Sequence, residues 1–153
     1  MPLSTGADLR LHSDGKKHFM KFAGLTVAYW AVLVAAFLPL ACGWLAKWGS
    51  FRKSRRDGGY DNHNPRAWLA RQTDWRARAN AAQANSFEAL PFFIGAVIIA
   101  HQLGGTQIRI DVLAFVFVVL RVLYIAMYVA DMATARSLIW TAAIAVNIAL
   151  LFT

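Results

Sequence analysis

Seven side chains could do chemistry together: Arg78, Asn85 and Glu88 in one segment, Arg121, Tyr124 and Tyr128 in a second, and Arg136 soon after. Read at helical spacing, offsets of three, four and three put Arg78, Ala81, Asn85 and Glu88 on one stripe. Arg121, Tyr124 and Tyr128 follow the same three-then-four rule, with Asp131 about a turn later. Arginine captures carboxylates in a fixed geometry. Tyrosine hydroxyls can orient or polarise a reacting group. With a carboxamide and a carboxylate added, these groups would line a polar cavity for a small anionic or zwitterionic guest. A second reading of the same residues is structural: Glu88 neutralises Arg121 inside a bundle, and Asn85 bridges helices through a hydrogen bond.

The surroundings make such residues costly. The 153-residue chain is 58% hydrophobic, more apolar than an ordinary soluble domain, and its length fits one domain. A charge at the centre of a spanning helix costs about 2.5–3.5 kcal/mol on insertion scales, so it persists where it faces protein, pairs, or holds something. The apolar runs predict an all-α transmembrane bundle of four spans: Phe22 to about Trp48, Thr73 or Asp74 to about Leu103, about Ile108 to Ala130, and about Ala133 to Phe152. Residues 1–21 form a polar tail ahead of a single membrane domain over 22–153. Pro39 should kink the first span, and Trp44 and Trp48 suit the membrane interface. Gly58, Gly59, Asn64 and Pro65 forbid a continuous helix in the loop that follows. In the second span only Ala89 to Leu103 is continuously apolar. Its polar half must therefore be shielded by neighbouring helices, with the first turns projecting from the bilayer.

The net charge of +8 is unevenly placed. Lys47, Arg52, Lys53, Arg55, Arg56, Arg66, Arg71, Arg76 and Arg78 crowd the segment between the first two spans, outweighing Arg10, Lys16, Lys17 and Lys21 on the other side. That is the positive-inside pattern of a cytoplasmic loop, with both termini outside, rather than a nucleic-acid patch. Such a cluster also attracts anionic lipid. With no organelle-targeting or retention signal read, a bacterial inner membrane is the expected location. The single cysteine, Cys42, allows no intrachain disulfide and reads as a small buried residue. Pro39 to Gly43 faintly resembles a lipoprotein cleavage box, but proline stands where leucine is wanted. His12, His18, His63 and His101 lack ligand spacing, so no metal site is expected. No glycine-rich phosphate loop and no nucleophile elbow is present. Asn147 reads as a hydrogen-bonded link between helices, and Phe92, Phe93, Phe115 and Phe117 as core or lipid-facing. Without an inverted repeat, a transporter has little support.

Asn85-x-x-Glu88-x-x-Pro91-Phe92, preceded by Arg78, resembles the second-helix signature of the MAPEG superfamily, membrane-associated proteins in eicosanoid and glutathione metabolism. Arg121-x-x-Tyr124-x-x-x-Tyr128, followed by Arg136-Ser137, is similar to its third-to-fourth-helix signature. The resemblance covers about Trp75 to Trp140, and the four-span plan extends it. It implies a homotrimer holding reduced glutathione between subunits near the cytosolic face. By that resemblance Asn85, Glu88, Arg78 and Arg121 would position the tripeptide, and Tyr124 and Tyr128 would line the same site. Arg136 would stabilise the thiolate, since a nearby cation lowers a thiol's pKa and the thiolate is the nucleophile. The implied activity is a glutathione-dependent transferase or peroxidase acting on lipophilic electrophiles. The alternative is a non-catalytic protein on the same scaffold that binds another small anion or lipid. One position departs from the pattern. Catalytic members usually carry an arginine four residues before the asparagine, and here that residue is Ala81. A lost charge-assisted hydrogen bond is worth about 1.5–3 kcal/mol.

Overall fold

The computed structural model describes residues 24–153; the expected polar tail, with His12 and His18, and the expected first residue of the first span, Phe22, lie outside that range. The described chain is all helical: α1 Val27–Lys47, a short α2 Pro65–Ala70, α3 Trp75–Gln102, α4 Gln107–Val129 and α5 Ala133–Leu150, with a 3-10 turn at Arg55–Asp57. α1, α3, α4 and α5 are each long and apolar enough to cross a membrane, making this a multi-pass membrane bundle. At about 1.5 Å per residue, the 28 residues of α3 reach roughly 42 Å, beyond the roughly 30 Å hydrocarbon layer. The excess lets its charged first turns leave the bilayer.

Local signals set the helix ends. Of the two caps considered for α3, Asp74 is the one used: its side chain accepts from the Arg76 N–H at 2.9 Å. Pro65 sits at the start of α2, where its missing N–H is no loss, so the loop holds a short helix as well as turns. The N-terminus of α1 is capped locally by the Thr26 hydroxyl, which accepts from the Tyr29 N–H at 3.4 Å, and also from another helix. Asp111 on α4 accepts from the Ala28 N–H at 2.8 Å and from Gln107 Nε2 at 2.9 Å. α1 passes Pro39 and α3 passes Pro91 as unbroken helices.

Packing follows from small residues at heptad-like intervals. α1 buries Ala28, Ala31, Ala35, Pro39, Cys42 and Ala46, and packs chiefly on α3, which answers with Ala79, Ala82, Ser86, Ala96 and Ala100. Lipid tails are as apolar as leucine, so helices associate here through close packing, and small side chains permit it. α4 packs on α5 and also touches α1 and α3, so α3 and α4 form the centre. Phe93 and Phe117 are buried and stacked across that centre with ring centroids 4.0 Å apart, whereas Phe92 and Phe115 are exposed. Asn147 is fully buried, yet neither carboxamide atom has a hydrogen-bond partner among the described residues. The expected hydrogen-bonded link is therefore not made, and the structure offers no other reason for an amide at this position.

Replacing Phe93 with alanine should lower the thermal unfolding midpoint in detergent clearly, while Phe92→Ala leaves it nearly unchanged. The cost should fall below the about 3–5 kcal/mol typical of a water-soluble core, because part of that figure is transfer out of water.

Candidate functional site

α4 carries Arg121 into the bundle, where only 2% of the residue is exposed. Its Nη2 donates to Asn85 Oδ1 at 3.0 Å and to Ser86 Oγ at 3.1 Å, both on α3. Ser86 is itself anchored, donating to the Ala82 carbonyl at 2.8 Å. Asn85 passes the polarity outward: its Nδ2 donates to Glu88 Oε2 at 3.3 Å. Among the described residues no carboxylate lies within ion-pair distance of Arg121. The direct Arg121–Glu88 pair considered from sequence is thus replaced by a relay through Asn85. The reason is position, since Glu88 lies a turn further along α3 and on its exposed side.

The guanidinium also lies over the Tyr124 ring, 4.4 Å from its centroid. Tyr124 meets Tyr128 edge to face at 5.6 Å, and Arg136 lies over the Tyr128 ring at 4.2 Å. Two arginines therefore bracket two tyrosines in one continuous stack, with cations on aromatic faces at each end. The outer end opens on a cavity of about 370 Å³ lined by Tyr124, Arg136, Ser137, Trp140 and Thr141. That volume is at the small end of the range for small-molecule pockets. Six of the seven residues picked from sequence are joined in this way: Asn85, Glu88, Arg121, Tyr124, Tyr128 and Arg136.

Arg78 belongs to a different set of contacts. Its Nε donates to the Val129 carbonyl at 3.0 Å, and its Nη1 stands 3.6 Å from Asp131 Oδ2. It clamps the start of α3 to the end of α4, where helix carbonyls lack intrahelical donors and favour a cation. Asp131 takes a positive φ of 63° in the tight turn into α5, a conformation that aspartate tolerates better than most residues. Ser86, Trp140 and Thr141 were missed by sequence reasoning. Ser86 could have been found as the neighbour of Asn85 one heptad after Ala79 on the buried face. Trp140 and Thr141 carried only their helical spacing from Arg136 and Ser137. Among the described residues no group of histidine, cysteine, aspartate and glutamate could hold a metal ion.

The chain matches the family model described as MAPEG family over residues 27–153, from the first residue of α1 onward. No curated protein and no solved structure matches it.

A buried cation held by neutral oxygens is sensitive to each of them. Asn85→Ala should destabilise the bundle by about 1.5–3 kcal/mol, the worth of a hydrogen bond to a charged group. In an Arg121→Met background the same change should cost much less. A double-mutant cycle on unfolding would then give a coupling of roughly 0.5–3 kcal/mol, whereas additive costs would mean that the contact is idle.

Proposed function

The chain belongs to the MAPEG family, and from that premise we propose that it is a glutathione-dependent transferase or peroxidase acting on lipophilic electrophiles dissolved in the bilayer. The observation that carries the reading is the buried Arg121 guanidinium, linked through Tyr124 and Tyr128 to Arg136 at a cavity mouth. The donor set fits glutathione. Arginines and a carboxamide suit its carboxylates, Glu88 suits its ammonium group, and Arg136 suits a sulfur anion. When bound, glutathione supplies its thiolate as the nucleophile. Arg136 provides the cation that favours this ionised form, and Tyr124 or Tyr128 orients the reacting group. Arg121, Asn85 and Glu88 position the peptide, while Arg78 acts through its clamp on the α4–α5 turn. Trp140 gives the cavity an apolar wall for the lipophilic partner.

A homotrimer completes the proposal. Glu88 lies thirteen residues into α3, about 20 Å along its axis. It is exposed in the single chain. A carboxylate at that depth is costly against lipid, so a neighbouring copy is its natural cover. The basic loop would face the cytoplasm of a bacterial cell.

The second reading, a non-catalytic protein binding another small anion or lipid, draws on Ala81 and Arg78. Ala81 stands where catalytic members usually carry arginine, and Arg78 is occupied by Val129 and Asp131. The two readings part on one titration. Reduced glutathione added to the purified protein should raise a saturable ultraviolet thiolate absorbance, and Arg136→Ala should abolish it without dissociating the oligomer. Ala81→Arg should tighten the apparent affinity about tenfold or more, the equivalent of one restored charge-assisted contact. A well-folded wild-type protein with no thiolate signal would sink the enzyme reading in favour of the second.

A further inference from the structure

The segment between α1 and α3 holds six of the chain's 16 lysines and arginines and is a built structure. The Ser50 hydroxyl donates to the Lys47 carbonyl at 2.6 Å, and the Tyr60 N–H returns to the Ser50 carbonyl at 3.1 Å. Phe51, Tyr60 and Trp68 stack edge to face at 5.2 and 5.3 Å, with Lys47 over the Tyr60 ring. Trp68 is buried and donates from Nε1 to the Gly58 carbonyl at 3.3 Å. Gly58 takes a φ of +80°, and a side chain at Gly59 would collide with the Lys53 carbonyl, so this fold-back needs both glycines.

The fold-back encloses a cavity of about 380 Å³ whose wall includes Arg55, Arg56, Asp61, Trp68, Arg71 and Gln72. The charges do not cancel. Arg55 Nε lies 3.6 Å from Asp61 Oδ1, which also accepts from the His63 N–H at 3.0 Å. That amide holds the Asp61 carboxyl below the usual carboxylate range, so Asp61 stays ionised and offsets Arg55. Arg56 and Arg71 make no ion pair among the described residues. Two guanidinium groups, from the 3-10 turn and from the end of α2, thus line one cavity with their charge uncompensated. Just before it, Trp48 and Phe51 are 72% and 66% exposed at the end of α1, the pattern of aromatics at headgroup depth.

We propose that this cavity is a phosphate-binding site at the membrane surface, gripped by Arg56 and Arg71 and separate from the site around Arg121. The planar fork of arginine matches phosphate oxygens two at a time. The phosphate can come from an anionic lipid headgroup or from a soluble phosphorylated molecule, and the experiment separates the two.

Short-chain phosphatidylglycerol, short-chain phosphatidylcholine and inorganic phosphate are each titrated into the detergent-purified full chain by calorimetry. A lipid source gives saturable phosphatidylglycerol binding, tighter than phosphatidylcholine and displaced by inorganic phosphate. A soluble source gives phosphate binding with no preference for the anionic lipid. In either case Arg56→Gln/Arg71→Gln should weaken binding about tenfold or more, and Lys53→Gln/Arg66→Gln, an equal loss of charge outside the cavity, less than about threefold. If the first pair fails to fold, Arg71→Lys keeps the charge, loses the fork, and should still bind measurably more weakly. Equal losses in the two pairs would reduce the site to diffuse charge and overturn the proposal. So would unchanged binding in the first pair, or no binding of any of the three probes.

Discussion

A guanidinium buried inside a bundle of membrane helices is the constraint on which the rest of this structure depends. Arg121 cannot be left bare there, since the effective penalty for taking an ion out of water is several kcal/mol. Its compensation comes entirely from the bundle: Asn85 and Ser86 on α3 and the ring of Tyr124 on its own helix. Those contacts fix the height and rotation of α4 against α3. The stack of Phe93 on Phe117, one turn from Arg121 along α4 and two turns from Ser86 along α3, is compatible with that same register. The alanines of α1 and α3 then allow α1 to close on the pair. Polar contacts set the alignment, and close packing of small residues holds it.

The same constraint shapes the chemistry. Because Arg121 is satisfied by neutral oxygens, no carboxylate among the described residues pairs with its charge. The neutral tyrosine rings link it by contact along α4 to Arg136, a second cation at the open cavity. Asn85 sends the opposite polarity outward to Glu88, leaving an exposed carboxylate on the α3 face. A zwitterionic, carboxylate-bearing guest answers both ends of that arrangement. MAPEG membership and this charge layout rest on the same residues, and together they support the proposed glutathione chemistry. Arg78 supports it at one remove, by fixing the turn that precedes Arg136.

Much of this was legible in the sequence because polar residues in an apolar chain stand out. The four spans and the stripes of Asn85–Glu88 and Arg121–Tyr124–Tyr128 follow from period and cost, while the α3 cap was narrowed only to Thr73 or Asp74, of which the chain uses Asp74. What stayed hidden depends on rotation and on small groups. Ser86 is one hydroxyl among many, and its value appears only when α4 brings a guanidinium to it. Whether Glu88 or Asn85 meets Arg121 is a matter of a single helical turn, which spacing alone does not resolve. Phe92 and Phe93 are neighbours of the same type, and only packing separates the lipid-facing ring from the core ring. Pro65 carried two meanings, turn and helix start, and the local chain used the second. Asn147 shows the opposite failure. Its burial was legible, but the hydrogen bond expected of it is not made among the described residues.

The central claim is that the buried Arg121 serves the fold and the guest at once. It is tested most directly by thermal unfolding of the wild type and of Arg121→Gln, each with and without reduced glutathione. Glutamine keeps a donor for Asn85 and removes the charge. The wild type should be stabilised by the ligand, by about 2.7 kcal/mol at a hundredfold excess over Kd, and the folded variant should show almost no ligand-dependent shift. A variant that keeps the full shift would show that Arg121 is structural only and that the guest is held elsewhere.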